Sequence, residues 1–386
     1  MGHSVAERDL TIDMIRGLVM MSAVTAHISL FSLYGFFFWE RIGIVSGAEG
    51  FVILSGVVIG MAYKRYLAEH GWGATTWKFF QRAVLLWRAN VIVILSIALL
   101  NYLHVNVREI MTYVDYDEGK IWPLFPEAGT PWQTWISHAL LLRFGPHQIQ
   151  ILGLYVCLLL LCPLSFYLMS KGQTPLLLFA SWTAYVYNLK HPQMLTGCMF
   201  EEVFPLMAWQ LIFFHGQALG YHKEAVLNFF KGKGKFILIP VTAAFAALFF
   251  WAQNSPDQLF PSFARLSFIP PALFTKVYDA YMLRSPLGTL RLVDDACVLV
   301  VSYIVLSRFG QATQKAFGWF LIPIGQASLY VFIVHVYFVA LASNMVKFGF
   351  PMGNPHFWLN TLVHTSALMC IWAMVRYKVL FRWVPR

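Results

Sequence analysis

An arginine and a histidine lie inside the first apolar segment of the chain, IDMIRGLVMMSAVTAHISLF. A charge in an apolar helix is costly and usually functional. Arg16 and His27 are about 16 Å apart along a helix, which puts Arg16 near one membrane face and His27 beyond the midplane. An arginine can bind phosphate, and an imidazole exchanges protons near neutral pH. The pair is therefore expected to serve opposite ends of one substrate.

Two carboxylates are the candidate partners of this pair. Asp13 lies one turn before Arg16, where it either only offsets the cost of the buried guanidinium or contributes to the same binding site. Glu49 begins the second apolar segment. It either accepts the second N–H of the His27 imidazole, which would set its tautomer, or caps a helix amino terminus.

A second histidine, His335, lies near the middle of a late apolar segment. Its depth in the membrane favours a functional role beside His27, and packing is the alternative. Further carboxylates border apolar segments, where they either bind acceptor hydroxyls or lie among lipid headgroups; these are Glu201, Glu202, Asp294 and Asp295. The five cysteines show no metal-type spacing, so no metal site is expected.

A cluster of cations between Tyr63 and Arg88 suits a phosphate-rich ligand. The alternative is the general bias of cytoplasmic loops towards positive charge. The cluster consists of Lys64, Arg65, Lys78, Arg82 and Arg88.

Membrane helices must position these residues, because the composition excludes a soluble domain. Of 386 residues, 59% are apolar and only 12% are charged, whereas about 25% charged residues is usual in soluble domains. Hydropathy predicts one all-α domain over residues 1–386, a polytopic bundle of ten transmembrane helices. The helices are expected at residues 14–34, 46–63, 85–103, 149–169, 174–189, 203–220, 235–252, 289–307, 323–343 and 358–376.

The connections between these segments predict which side each one faces. With both termini in the cytoplasm, the cytoplasmic segments hold a large excess of Lys and Arg, and the opposite side holds more acids than bases. This is the orientation that the positive-inside rule favours. The long outer connections 104–148 and 253–288 are rich in Trp, Phe and Pro and are expected to cap a site. Their aromatic residues suit sugar rings, although an interfacial aromatic belt is the commoner explanation.

Several of these motifs resemble those of known families. The run D-x-x-R-G with a histidine eleven residues after the arginine, here Asp13 to His27, resembles the first-helix signature of membrane acyltransferase family 3. The segment SLYVFIVH is similar to the S-Y-x-x-Y-x-x-H type element in a late helix of those proteins. Four segments resemble successive blocks of the OpgC family in the same order, namely AEGFVILSGVVIG, ILGLYVCLLLLCPL, MAWQLIFFHGQALG and IGQASLYVFIVH.

OpgC-type proteins are associated with adding succinyl groups from cytoplasmic succinyl-CoA to osmoregulated periplasmic glucans. The resemblance therefore implies a multi-pass O-acyltransferase of the bacterial inner membrane, with ten spans, cytoplasmic termini and no permanently bound cofactor. The expected partners are the acyl-CoA donor, a periplasmic glucan or another polysaccharide acceptor, and membrane lipid. No nucleic acid is expected, and the sequence does not specify an oligomeric state.

Acyl transfer from a thioester to a sugar hydroxyl needs a base, and His27 is the candidate. Coenzyme A phosphates would bind at the cytoplasmic end, where the cations are. Ser55, Gln210 and His335 are candidate donors to the thioester oxyanion. A covalent acyl-histidine is an alternative to direct transfer. Two other functions stay open, namely O-acetyl transfer to another envelope polysaccharide and transport or flipping of an acyl or lipid-linked metabolite.

Overall fold

The computed structural model describes residues 9–115, 120–127, 129–257, 260–345 and 356–385. The described part of the chain is 75% helical with almost no strands, which confirms the all-α prediction. The helices are α1 (Leu10–His27), α2 (Gly35–Phe38), α3 (Gly47–Tyr102), α4 (Arg108–Met111), α5 (Trp132–Leu140), α6 (Ile151–Ser170), α7 (Thr174–Lys190), α8 (Leu206–Tyr221), α9 (Lys223–Lys231), α10 (Leu238–Gln253), α11 (Pro271–Tyr281), α12 (Thr289–Arg308), α13 (Gly310–Thr313), α14 (Trp319–Gln326), α15 (Ser328–Met345) and α16 (Phe357–Arg376).

Short elements connect some of these helices. Two strands, β1 (Thr112–Asp115) and β2 (Lys120–Pro123), form an antiparallel hairpin in which Thr112 lies opposite Pro123. Single 3₁₀ turns occupy His147–Ile149, Met199–Glu202, Lys233–Ile237 and Ser262–Ala264, and a π-helical turn occupies Gln314–Gly318. The hairpin, α4 and α5 all lie in the first of the two long connections.

All ten predicted apolar segments overlap helices. Within the described residues, five helices are long and apolar enough to cross a membrane: Gly47–Tyr102, His147–Ser170, Gly234–Gln253, Ser328–Met345 and Phe357–Arg376. In the most apolar window, 72% of α15 is buried but only 6% of the helix that ends at Gln253. The helix α15 is therefore central in the bundle, whereas α10 lies at its surface, where its side chains can contact lipid. The chain is a membrane protein.

The longest helix, α3, is a helical hairpin. Gly71 interrupts it with φ 75° and ψ −178°, a conformation that glycine adopts readily because it has no Cβ. The rings of Tyr63 and Phe79 stack with centroids 4.1 Å apart. In a straight helix these residues would be about 24 Å apart. The two arms therefore run antiparallel and correspond to the predicted segments 46–63 and 85–103.

Glycines allow the central helices to approach closely. A Cβ at Gly17 of α1 would collide with the backbone of Leu321 in α14, and a Cβ at Gly325 of α14 with the backbone of Asp13 in α1. Small residues at such contacts are typical of packed membrane helices. The same kind of contact joins α3 to α8 through Gly56, Gly60, Gly216 and Gly220.

Candidate functional site

Two cavities lie along α1, and they share one side chain. The Arg16 cavity has a volume of about 440 Å³ and is lined by Arg16, Ser55, Tyr63 and Arg82, among other residues. The His27 cavity has a volume of about 1240 Å³, and its lining includes His27, His147, Arg284 and Phe332. Phe51 lines both cavities. The two ends of α1 thus open into different spaces.

A layer of aromatic rings separates these spaces. The rings of Phe51 and Phe332 stack with centroids 5.0 Å apart and planes 13° apart, and Tyr155 meets Phe51 edge-on at 5.2 Å. The Tyr155 hydroxyl donates to the Phe51 carbonyl at 2.8 Å. The Phe332 ring lies 6.5 Å from the His27 ring. Phe51 and Phe332 therefore lie between the Arg16 cavity and His27.

Two contacts hold Arg16 in place. Its guanidinium lies 3.6 Å from the Asp13 carboxylate, the i, i+3 pair that the sequence predicts. It also donates to the Ser328 hydroxyl at 2.5 Å. Ser328 begins the SLYVFIVH segment and His335 ends it, so the two sequence motifs meet at both ends. α1 and α15 therefore run side by side, with Arg16 next to Ser328 and His27 next to His335.

The structure brings only part of the predicted cation cluster to the Arg16 cavity. Arg82 and Lys78 line it, and the Lys78 ammonium also lies 3.5 Å above the Tyr66 ring. Lys64 instead donates to the Tyr221 carbonyl at 2.8 Å and is not part of the lining. Arg65 and Arg88 are exposed and lie off the cavity. Of the predicted cation cluster, Lys78 and Arg82, which share one face of the α3 hairpin, are thus the members that line the Arg16 cavity.

His27 and His335 are hydrogen-bonded to each other, and their bonds define the tautomers. The His335 Nδ1 lies 2.5 Å from the Phe332 carbonyl, which can only accept, so Nδ1 carries a proton. The Nε2 of a neutral His335 is then an acceptor, and it lies 2.7 Å from the His27 Nδ1. His27 therefore donates from Nδ1. Its Nε2 keeps a lone pair, and within the described residues it has no hydrogen-bond partner.

This arrangement separates the roles of the two histidines. His335 is fully buried and uses both ring nitrogens, so no N–H is left for an oxyanion. That differs from the prediction that His335 donates to the oxyanion, because its N–H points to a backbone carbonyl. His335 instead accepts the hydrogen bond from His27. His27 is only partly buried, lines the larger cavity, and can accept a proton at Nε2.

A third histidine, His147, was missed in the sequence. Its ring meets that of His27 edge-on, with centroids 5.9 Å apart. Its Nδ1 is buried and has no hydrogen-bond partner among the described residues. His147 belongs to a 3₁₀ turn that leads into α6, in the long connection 104–148. Neither an apolar segment nor a motif marks it, so only the expectation that this connection caps a site pointed to it.

The structure places Glu49 away from His27. Glu49 forms a capping box with Ser46 at the start of α3, which is the alternative that the sequence left open. Its other oxygen accepts from Arg291 at 2.6 Å, and Arg291 also pairs with Glu40. Both Glu49 and Arg291 are completely buried, so each charge needs the other. His335, and not Glu49, is the partner of the His27 imidazole.

Some of the residues predicted to bind the acceptor line the His27 cavity, and others do not. Glu202 lines the His27 cavity. Glu201 accepts instead from the backbone and hydroxyl of Thr196, and Asp294 accepts from the backbone N–H of Ile44. Gln210 is bonded to Ser181. These bonds tie the three side chains to neighbouring residues. None of the three lines the His27 cavity.

Both long connections contribute to the lining of the His27 cavity. Aromatic side chains from the first of them, Tyr113, Trp122 and Phe125, line it together with Tyr278 from the second. Among the described residues, no group of three or more His, Cys, Asp or Glu side chains could hold a metal ion.

Comparison with known proteins gives one family. No curated protein and no solved structure matches the chain significantly. The model of the family described as OpgC protein matches residues 8–383, which is essentially the whole chain. The chain therefore belongs to the OpgC family, and this membership implies a membrane acyltransferase.

Proposed function

We propose that the protein is an O-succinyltransferase of the bacterial inner membrane, which moves a succinyl group from cytoplasmic succinyl-CoA to a hydroxyl of a periplasmic glucan. The observation that carries this proposal is the hydrogen-bonded pair of His27 and His335. His27 lines one cavity, and the stacked rings of Phe51 and Phe332 lie between it and a second cavity that contains three cations. A general base between two entrances suits a reaction whose substrates approach from opposite sides.

The Arg16 cavity supports binding of the donor. Arg16, Lys78 and Arg82 offer cations that suit the phosphates of coenzyme A. The rest of the lining is mostly apolar, including Val58, Ile59 and other aliphatic side chains, and suits the pantetheine arm. The thioester would then follow the arm past Phe51 to His27.

The His27 cavity supports binding of the acceptor. It is almost three times as large as the Arg16 cavity, and Tyr113, Trp122 and Tyr278 give it aromatic faces on which sugar rings can pack. Glu202 adds a carboxylate that can accept from sugar hydroxyls.

The reaction follows from the tautomers. His27 Nε2 accepts the proton of the sugar hydroxyl while the hydroxyl oxygen attacks the thioester carbon. The His335 Nε2 accepts the hydrogen bond from His27 Nδ1–H and stabilises the imidazolium that forms. When the tetrahedral intermediate collapses, the C–S bond breaks, and His27 returns the proton to the sulfur. The products are a succinyl ester and free coenzyme A.

The proposed topology has ten membrane spans with both termini in the cytoplasm. The overlap of every predicted segment with a helix and the excess of cations in the connections near Arg16 support it. The Arg16 cavity then faces the cytoplasm and the His27 cavity faces the periplasm.

The test is a transfer assay with purified protein in detergent. Glucan is incubated with succinyl-CoA or acetyl-CoA, and ester formation is measured by mass spectrometry. We expect succinyl ester with the wild-type protein and none with His27→Ala. Acetyl ester alone would replace the donor by acetyl-CoA, and no ester from either donor would contradict the proposed enzyme.

A further inference from the structure

The loop between α11 and α12 holds a cation at the His27 cavity. Three hydrogen bonds to its backbone carbonyls fix it: Tyr185 donates to Leu287 at 2.6 Å, Trp209 to Ser285 at 3.0 Å, and Arg291 to Met282 at 2.8 Å. The donors lie on α7, α8 and α12. Arg284 lies in the middle of this loop and lines the cavity. A loop held from three helices presents the Arg284 side chain from a defined position.

The guanidinium of Arg284 has no partner of its own. Within the described residues, it makes no ion pair and no hydrogen bond. It lines the same cavity as His27 and His147. Glu40 lines the same cavity, but Arg291 already pairs with it. An unpaired cation beside histidines that need no counter-ion is suited to a bound anion.

The proposed path of the donor would bring an anionic group into the part of the His27 cavity that Arg284 lines. Coenzyme A enters from the Arg16 cavity and its thioester carbon must reach His27. The part of the acyl group beyond that carbon then extends away from coenzyme A, into the His27 cavity. In a succinyl group, this far end is a carboxylate. An acetyl group has nothing there to pair with a cation.

Building on the proposed function, we infer that Arg284 binds the free carboxylate of the succinyl group and so selects dicarboxylic acyl donors. The contact is a charge-assisted hydrogen bond, which can be bidentate. It orients the thioester carbonyl towards His27 and identifies the correct donor by its far end. Losing such a contact should reduce discrimination by about 10- to 100-fold.

The experiment compares succinyl-CoA with butyryl-CoA, which has the same number of acyl carbons and no carboxylate. The kcat/KM of transfer to glucan is measured for both donors with purified full-length protein. Arg284→Gln removes the charge, and Arg284→Lys keeps it without the planar fork. Arg143→Gln is the matched control, because Arg143 is an exposed arginine that lines the same cavity but lies in the other long connection, outside the loop between α11 and α12.

We expect the wild-type protein and Arg143→Gln to prefer succinyl-CoA equally. Arg284→Gln should lose about 10- to 100-fold of that preference, with transfer from butyryl-CoA retained, and Arg284→Lys should be intermediate. An unchanged preference in Arg284→Gln would overturn the inference and leave the enzyme assignment standing. An equal loss of kcat/KM for both donors would also overturn the inference, because Arg284 would then act on the reaction itself and not on the choice of donor. Transfer from neither donor by the wild-type protein would overturn the proposed function itself.

Discussion

The Arg16 cavity and the His27 cavity are built in different ways. The cations of the Arg16 cavity come from the helices α1 and α3, and most of its remaining lining is also helical. The His27 cavity takes His27 from α1, and about half of its lining residues come from the two long connections. In the proposed function, the helices position the donor site, and the connections line the part of the site that selects substrates. Donor binding should therefore respond to substitutions in helices, and selectivity to substitutions in connections.

The largest effect is expected for His27→Ala. It removes the base and should lower kcat by about 100-fold or more, because general-base catalysis typically contributes 10²–10⁴-fold. Donor binding in the Arg16 cavity should stay at the wild-type level. Transfer kinetics and equilibrium binding of succinyl-CoA in detergent test the two parts separately. Activity above about a tenth of wild type would remove His27 from this role.

His335→Ala should lower kcat about 10-fold or more, with KM for the donor little changed, because the lost hydrogen bond stabilises His27 in the transition state. His335→Gln should restore part of the rate, since the side-chain oxygen of glutamine can accept from His27 Nδ1–H. If His335 only filled space, the alanine and glutamine variants would not differ selectively in kcat. Equal activity of His335→Ala and the wild type would break the link between the two histidines.

Arg16→Ala should weaken binding of succinyl-CoA by about 10-fold or more, and Arg16→Lys should recover part of it, because lysine cannot pair bidentately. Arg88→Ala is the control, since this arginine belongs to the predicted cation cluster but lies off the cavity. Calorimetric titration of coenzyme A measures both. If Arg88→Ala weakens binding as much as Arg16→Ala does, the donor does not bind in the Arg16 cavity.

The smallest effect is expected for Asp9, which anchors the Arg16 end of α1. Its carboxylate accepts from the backbone N–H groups of Thr11 and Ile12 and pairs with Lys223 at 2.6 Å. Asp9→Ala should destabilise the protein by about 1–2 kcal/mol, and Asp9→Asn should cost less because it keeps the cap. Thermal unfolding in detergent measures this, and an unchanged midpoint would show that the anchor contributes nothing.

The stabilisation by Asp9 should also depend on pH. Burial raises the pKa of this carboxyl, but Lys223 and the backbone N–H of Ile12 lower it by more. The pKa therefore lies below its ordinary value of 3.8. The unfolded chain then binds a proton more readily than the folded one. The contribution is fully present above pH 3.8 and is lost as the pH falls through the folded pKa. Asp9→Asn should not show this loss.

The helical half of the site could be predicted from the sequence. Hydropathy located the segments, and the spacing of Arg16 and His27 with the SLYVFIVH segment indicated two helices that meet, which they do at Ser328 and His335. Charge alone could not tell Arg82, on the cavity, from Arg88, off it. That distinction depends on the turn at Gly71, which decides the faces that the two arms of α3 present.

The half built from connections could not be predicted in the same way. His147 and Arg284 lie far apart in sequence, and no periodic pattern relates them, because irregular segments are positioned by bonds to other elements. The loop that carries Arg284 depends on hydrogen bonds from three helices, and Glu49 pairs with Arg291, 242 residues away, instead of with His27. Such long-range pairs leave no local signal.

The most direct test of transfer between the two cavities uses sealed proteoliposomes. Glucan is trapped inside, succinyl-CoA is added outside, and neither substrate crosses the lipid. We expect succinyl ester on the trapped glucan with the wild-type protein and none with His27→Ala or in protein-free vesicles. Ester that forms only after detergent mixes the two compartments would contradict it, because both substrates would then have to approach from one side.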